Sequence, residues 1–252
     1  MTNNTHWHDR AKNWSATGAP LNPNQEIIDH LKTIVDVDSK ILLLGVTPQI
    51  YHAFNNITAV DKESIMIETV WPGNTINKRA ILDNWLTVDL EENSFDAILG
   101  DGSINMLMYP GEVETLLERC RKWLKPGGKF VCRMFTRPDQ HVTREWLKQE
   151  GANPSVSWTA FRRLVPMAFA AERGSLVPWA EAYNFFHELF PDKSQLKFTA
   201  EEIEKFEAYK GVSTSTWFPT RKEITDIVPD GVFVDFGTYD IAHTCPFMIV
   251  EK

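Results

Sequence analysis

One short segment near residue 40 constrains the fold more than any other part of the chain. Lys40 to Pro48 reads KILLLGVTP, an apolar run that ends at Gly45. So short a run, closed by glycine, is typical of a strand buried on both faces, as in a parallel sheet covered by helices. Thr47 suits the N-cap and Pro48 the first position of a helix, so we expect a helix to begin here, with an N-terminus that attracts a carboxylate or a phosphate.

A second predicted strand follows closely and ends on an acid. Residues 57–61 read ITAVD, and Asp61 comes about 16 residues after Gly45. In α/β folds that bind nucleotides, an acid about 20 residues after the first turn accepts hydrogen bonds from the ribose hydroxyls. The alternative is that Asp61 caps the next helix, predicted over residues 63–67. The two roles are compatible.

A third strand, predicted over residues 79–85, closes on Asp83, Asn84 and Trp85. A carboxylate or an amide can accept a hydrogen bond from the exocyclic amine of adenine, and an aromatic side chain can stack on the ring. The alternative is that Trp85 is a core residue.

A fourth strand, FDAILGD over residues 95–101, ends on Asp101 between two glycines. The backbone must bend sharply there, and ligands of open parallel sheets bind at this edge. We therefore interpret Asp101 as a functional residue; the alternative is a surface turn built from Gly-Asp-Gly-Ser. A fifth strand is predicted from Lys129 to Phe135, and Arg133 within it either forms a salt bridge at the end of the sheet or faces the cleft.

The rest of the chain divides by composition. Long helical patterns separated by proline and glycine follow the fifth strand; one of them runs from Thr199 to Tyr209 and begins with the capping-box spacing of Thr199 and Glu202. Two final strands, 232–236 and 246–250, are joined by nine residues. Nine residues are too few for a helical crossover, so the pair is antiparallel. We predict four parts: an N-terminal helical cap (1–39), a cofactor-binding core (40–135), a helical insertion or lid on the substrate side (136–230) and a C-terminal hairpin that completes the sheet (231–252).

Charge and motif content exclude several classes of protein. A net charge of −8 disfavours a nucleic-acid binder, and no apolar run is long enough to span a membrane. Three cysteines without CxxC spacing favour a reducing compartment, so we expect a cytoplasmic protein. The seven histidines form no HExxH motif, and we predict no metal site.

Between Ile41 and Phe135 the chain resembles the class I S-adenosylmethionine-dependent methyltransferases. The strand ends described above carry the resemblance, and its most specific part is WLKPGGKF, residues 123–130. The resemblance implies a Rossmann-like α/β fold: an open, mostly parallel sheet with a C-terminal antiparallel hairpin, and here a helical insertion. It also implies a methyltransferase whose cofactor is S-adenosylmethionine.

The resemblance implies a role for each candidate residue. Gly45, Val46 and Thr47 would lie near the methionine moiety, Asp61 on the ribose, Asp83 with Asn84 around the adenine, and Asp101 near the sulfonium and the amino group. The first turn departs from the usual acid-x-G-x-G-x-G pattern. NAD and FAD contain a pyrophosphate that must be bound, whereas S-adenosylmethionine does not. The absence of GxGxxG therefore weighs more heavily against a dehydrogenase than against a methyltransferase.

Methyl transfer is an in-line displacement, so positioning is its main catalytic device, and a general base is needed only for an acceptor that is protonated at working pH. Asp101 is the candidate catalytic residue, beside His141 and His187. We expect a small-molecule acceptor. The aromatic residues of the insertion suit an apolar ligand and equally suit a lid that packs on itself. The alternative function is a non-catalytic or aminopropyl-transferring nucleoside-binding protein of the same fold.

Overall fold

The computed structural model describes residues 5–15, 17–139 and 142–252. Within these ranges the strands are β1 (Lys40–Leu44), β2 (Asn56–Asp61), β3 (Lys78–Leu82), β4 (Phe95–Asp101), β5 (Leu124–Arg133), β6 (Leu176–Pro178), β7 (Ser215–Trp217), β8 (Val232–Val234) and β9 (Phe247–Glu251). The helices are α1 (Thr5–Lys12), α2 (Gln25–Ile34), α3 (Pro48–Ala53), α4 (Ser64–Val70), α5 (Gly111–Trp123), α6 (Arg144–Ala152), α7 (Trp158–Arg173), α8 (Trp179–Leu189), α9 (Ala200–Glu204) and α10 (Arg221–Ile227).

Seven strands form one sheet in the order β3-β2-β1-β4-β5-β9-β8. The first five are parallel, β9 runs antiparallel to β5, and β8 antiparallel to β9. The predicted fold class, an open and mostly parallel sheet with an antiparallel C-terminal hairpin, is confirmed. From β1 the chain proceeds to β2 on one side, and β4 lies on the other, so the topological switch point falls between β1 and β4. Ligands of such sheets bind at the carboxyl ends of these strands.

The strand β1 is buried on both faces, as predicted. Leu42 and Leu44 pack in one hydrophobic cluster with the apolar side of α5, while Ile41 and Leu43 pack in the opposite cluster with α2 and α3. All four side chains are at most 3% exposed. Because successive strand residues point to opposite faces, this double burial holds the end of β1 rigidly between two helical layers.

The helical insertion has its own hydrophobic core. Phe161, Phe169, Phe185 and Phe186 are at most 2% exposed and pack with α6, α7 and α8 in one cluster. The aromatic residues that suited either an apolar ligand or a self-packed lid are therefore used mainly in packing the insertion on itself. The short antiparallel pair β6–β7 within it was not predicted, since three-residue strands carry no readable alternation.

Two boundaries differ from the prediction. The strand β5 begins at Leu124 rather than Lys129, with an irregular register against β4 near Phe95. The helix predicted to run to Tyr209 ends at Glu204 and continues as a 3-10 helix, although the predicted capping box of Thr199 and Glu202 is present. None of the helices in the described ranges is long and apolar enough to cross a lipid bilayer.

Candidate active site

The turn after β1 leads into the predicted helix but lacks the predicted side-chain cap. Gly45 has a φ of +102°, which side-chain-bearing L-residues rarely adopt, and its N–H donates to the Val60 carbonyl at 2.9 Å. The helix α3 begins at Pro48, as predicted. The capping role predicted for Thr47 is wrong in part: it occupies the N-cap position, but its side chain is buried, 5% exposed, and makes no capping hydrogen bond. Val46 is likewise buried.

Asp61 ends β2 directly beside this turn. Its Oδ1 accepts from the Glu63 N–H at 2.9 Å, but Glu63 is the N-cap residue of α4, so the alternative that Asp61 itself caps this helix is wrong. Its Oδ2 faces Gly45, where an added Cβ would stand 3.9 Å away. Burial raises the pKa of Asp61 from its ordinary 3.8 to about 6. A carboxylate that is largely shielded from water, and that directs one oxygen toward a glycine, can accept hydrogen bonds from the hydroxyl groups of a ligand.

The segment after β3 lies next to Asp61. The Asp83 N–H donates to the Asp61 carbonyl at 3.0 Å, and Trp85 Nε1 donates to the Val60 carbonyl at 2.6 Å. Trp85 packs against the sheet cluster, as the core alternative proposed. Asp83 is exposed, and Asn84 Oδ1 accepts from the Leu86 N–H at 3.0 Å. The structure therefore brings Asp83 and Asn84 to the edge where Gly45 and Asp61 lie.

Asp101 ends β4 and forms a buried ion pair. Arg133, its register partner on β5, donates from Nε to Asp101 Oδ1 at 2.6 Å, and the two side chains are 1% and 6% exposed. Of the two predicted placements of Arg133, the salt bridge is the one observed. Gly100 and Gly102 both have a packing reason: an added Cβ would lie 2.1 Å from Ser103 Oγ at the first and 2.8 Å from the Phe135 ring at the second.

Three further arginines that the sequence analysis missed lie near this ion pair: Arg10 on α1, and Arg162 and Arg163 on α7. Charge interactions couple Arg10 to Asp101, Arg133 and Arg162, and Arg163 to Arg10 and Arg162. A sequence signal did exist. The helix α7 buries ten of its 16 residues, yet it carries two adjacent arginines at its middle. Arginine in such surroundings is uncommon unless it has a partner.

The two candidate histidines do not join this group. His141 lies outside the described residues. His187 is on α8, with Nε2 3.2 Å from Glu207 Oε1 and its ring against Tyr183 and Phe186, all within the insertion. Among the side chains that the structure describes, no three His, Cys, Asp or Glu residues form a group that could hold a metal ion.

Comparison with known proteins identifies the core. Residues 45–132 match the family model of a methyltransferase domain. The chain carries a methyltransferase domain. The matched range contains every position for which a cofactor role is predicted: Gly45, Val46, Thr47, Asp61, Asp83, Asn84 and Asp101. It ends one residue before Arg133.

Solved structures share the fold of this methyltransferase. A Burkholderia thailandensis 1,6-didemethyltoxoflavin N1-methyltransferase, with bound 1,6-didemethyltoxoflavin and S-adenosylhomocysteine, is 14% identical, with a TM-score of 0.54 over 98% of this chain and 84% of that one. An S-adenosylmethionine-dependent methyltransferase of Methanosarcina mazei is 14% identical, with a TM-score of 0.51 over 92% and 99%. A Rhodobacter sphaeroides protein described as a putative Zn-dependent alcohol dehydrogenase is 11% identical, with a TM-score of 0.54 over 96% and 98%.

No curated protein matches the sequence. At these identities the solved structures establish the fold, and the family match establishes the domain. The predictions of a methyltransferase and of its class I fold are thereby confirmed. Both results agree with the predicted cofactor, S-adenosylmethionine.

Proposed function

We propose that this protein transfers a methyl group from S-adenosylmethionine to a small-molecule acceptor at the carboxyl ends of β1, β2 and β4. The observation that carries the proposal is Asp61: a partly buried carboxylate whose Oδ2 faces the positive-φ Gly45 beside the switch point, inside the matched domain. A side chain at position 45 would enter the space next to that oxygen, so the glycine keeps it open.

The residues at this edge suit the parts of the cofactor in order. Asp61 Oδ2 is available to accept from the ribose hydroxyls. Asp83 and Asn84 would bind the adenine, whose amine needs an acceptor. Gly45, Val46 and Thr47 would contribute backbone groups to the methionine moiety, since the Val46 and Thr47 side chains are buried. Asp101 would hold the amino group with the carboxylate oxygen that Arg133 Nε does not occupy.

When bound, S-adenosylmethionine would supply a methyl carbon activated by the sulfonium, whose C–S bond would break, with its electron pair kept on sulfur, as the acceptor's lone pair forms the new bond. The protein's part is to hold the nucleophile in line and to exclude water. The segment 17–22 and α7 are suited to this task because Arg133 contacts the Pro20 carbonyl, and Arg163 of α7 contacts the ring of Phe135 just after β5. Asp101 remains the candidate for a proton acceptor where the acceptor molecule needs one.

The four-part division predicted from the sequence fits this scheme, with residues 40–135 holding the cofactor, and residues 1–39 and 136–230 covering the acceptor. The net charge of −8 supports a small molecule over a nucleic acid as acceptor. A cytoplasmic location is supported by the three cysteines, which are all buried free thiols.

Calorimetric titration of the full chain with S-adenosylhomocysteine tests the proposal. We expect saturation, and a loss of affinity of about tenfold to a hundredfold in Asp61→Asn, because charge-assisted hydrogen bonds are worth about 1.5–3 kcal/mol. Asp36→Asn is the matched control. Asp36 Oδ1 also accepts the amide two residues on, at 2.8 Å, but at the opposite end of the sheet.

Parallel titrations with S-adenosylmethionine, decarboxylated S-adenosylmethionine and NAD separate the alternatives. Saturation by decarboxylated S-adenosylmethionine alone would indicate aminopropyl transfer. If neither S-adenosylmethionine nor S-adenosylhomocysteine binds at high micromolar concentration, the proposed function is wrong.

A further inference from the structure

Four arginines from three separate parts of the chain meet beside the candidate cofactor site. Arg10 comes from the N-terminal helix, Arg133 from the end of β5, and Arg162 with Arg163 from the middle of α7. All four lie outside the matched range 45–132: Arg133 directly follows its last residue, and the other three lie in the N-terminal helix and in the helical insertion.

The first contact that joins the group runs through residues 20–22. Arg133 Nη1 donates to the Pro20 carbonyl at 2.7 Å. Arg10 Nη2 donates to the Leu21 carbonyl at 3.3 Å and to Asn22 Oδ1. One short stretch of backbone therefore receives both guanidinium groups.

The second contact runs through the ring of Phe135. The guanidinium carbon of Arg163 lies 4.4 Å from the ring centroid, and that of Arg133 lies 5.6 Å from the same centroid. Arg162 is joined to the group by electrostatics, since it is the strongest charged neighbour of Arg10. The end of β5, the N-terminal helix and α7 thus bring their cations close to one another.

Several donors in this space are buried and have no partner. Arg133 is 1% exposed, and its Nη2 makes no hydrogen bond; the Nε atoms of Arg162 and Arg163 are likewise buried and unpaired. A buried donor without an acceptor costs about 1–3 kcal/mol, and more when it is charged. Donors of this kind are expected where a ligand supplies the acceptors.

Within the described residues, a single carboxylate offsets the positive charge of the group. Among the side chains that the structure describes, Asp101 is the one carboxylate in salt-bridge contact with any of the four, and it pairs with Arg133. Burial lowers the pKa of Arg163 to about 9 and that of Arg10 to about 10, and repulsion from neighbouring guanidinium groups contributes to both. Both Arg10 and Arg163 still carry their charge near neutral pH, in a chain whose net charge is −8.

The cofactor does not supply the missing negative charge. S-adenosylmethionine carries a sulfonium and an ammonium group against one carboxylate, so its binding adds positive charge to the space. Even if one of the three guanidinium groups that lack a carboxylate partner receives that carboxylate, the other two stay uncompensated. The remaining molecule in the reaction is the acceptor.

From this juxtaposition we infer that the methyl acceptor carries an anionic group, a carboxylate or a phosphate, which is bound by Arg133, Arg162 and Arg163 with Arg10 behind them. The inference rests on the proposed function and specifies the acceptor class of the same site. Guanidinium groups bind both anions through paired, charge-assisted hydrogen bonds. The anion anchors the acceptor, while a nucleophilic atom elsewhere on it takes the methyl group with its own lone pair, and the C–S bonding pair stays on sulfur.

The test uses the full chain saturated with S-adenosylhomocysteine and three probes: benzoate, inorganic phosphate and benzamide. We expect saturable binding of benzoate or of phosphate by calorimetry, with the stronger probe identifying the class of anion, and no binding of the neutral benzamide. In Arg163→Gln the affinity for that anion should fall at least about tenfold. Arg173→Gln is the matched control: it lies on the same helix α7 but is exposed and paired with Glu172 and Glu188, so anion binding should be unchanged.

Thermal unfolding supplies a second readout. Arg163→Gln should melt at a higher temperature than the wild type without ligand, because it removes an uncompensated, partly buried charge. The inference is wrong if neither anion saturates the wild-type complex, if Arg163→Gln binds the anion as the wild type does, or if that variant loses S-adenosylhomocysteine while it keeps the anion. Failure of the wild type to bind S-adenosylhomocysteine at all would instead refute the proposed function, and is seen in the first titration.

Discussion

Replacing Asp61 by asparagine should make the ligand-free protein more stable while it weakens cofactor binding. Burial raises the pKa of Asp61 from 3.8 to about 6, which means that the folded protein holds the proton more tightly than the unfolded chain. Above pH 6 the carboxylate must be ionised in surroundings that disfavour its charge. Asparagine keeps the oxygen that accepts from the Glu63 N–H, and removes the charge.

The size of the effect follows from the two pKa values. The interval between 3.8 and about 6, at about 1.4 kcal/mol for each tenfold change in a protonation equilibrium, gives about 3 kcal/mol. Because the side chain keeps some contact with water, we expect a gain of about 1–3 kcal/mol in the free energy of unfolding at about pH 8. Between the two pKa values the folded state binds more protons than the unfolded chain. The destabilisation caused by the Asp61 charge therefore decreases as the pH falls through about 6, and is nearly absent close to 3.8.

Urea unfolding of the wild type and Asp61→Asn at about pH 8, 6 and 4.5 measures the difference directly, since other titrating groups cancel between the two proteins. Asp36→Asn, with its exposed carboxyl group, should change the stability by less than about 0.5 kcal/mol at each pH. A variant that is less stable than the wild type at pH 8, or a gain in stability that does not shrink on acidification, would refute the assignment of Asp61 as a carboxylate whose charge is disfavoured by burial.

Two other substitutions test the packing of the site. Asp101→Asn leaves Arg133 buried without its counter-charge, and should lower the free energy of unfolding in urea by about 3–5 kcal/mol. A loss below about 1 kcal/mol is typical of an exposed ion pair such as Lys222–Asp226, and would contradict the buried pairing. Gly100→Ala places a Cβ 2.1 Å from Ser103 Oγ and should lower the stability of the protein by about 1–3 kcal/mol, measured by calorimetric unfolding. Adding Ser103→Ala should restore part of that stability in the double variant. An unchanged melting temperature in the single variant would count against this close approach.

The features that the sequence predicted well depend on local pattern. The double burial of β1, the helix start at Pro48 and the acids at the ends of β2 and β4 follow from short runs of residues whose neighbours in sequence are also their neighbours in space. Parallel strands bring their carboxyl ends to one edge, which is why Gly45 and Asp61 could be expected to meet. Thr47 failed as a side-chain cap because burial of its side chain prevailed over a local preference.

The arginine group could not be predicted in the same way. Its members are separated by as many as 153 positions, from Arg10 to Arg163, and nothing in the sequence states that α1 and α7 approach the same strand end. Arg133 is the one member of the group that the sequence analysis singles out, because it is a charged residue in an apolar strand. The aromatic residues of the insertion are misleading in a different way. Their number suggests an apolar ligand, whereas most of them fill the insertion's own core.

The separation between the matched range 45–132 and the arginines outside it has a consequence for how such an enzyme can change. In the site that we propose, the residues that bind the methyl donor are encoded in one uninterrupted stretch, and the arginines that bind the anionic group of the recipient are encoded upstream and downstream of it. Exchange of those flanking sequences between homologues could therefore redirect the enzyme to a new class of recipient while its donor chemistry is inherited intact.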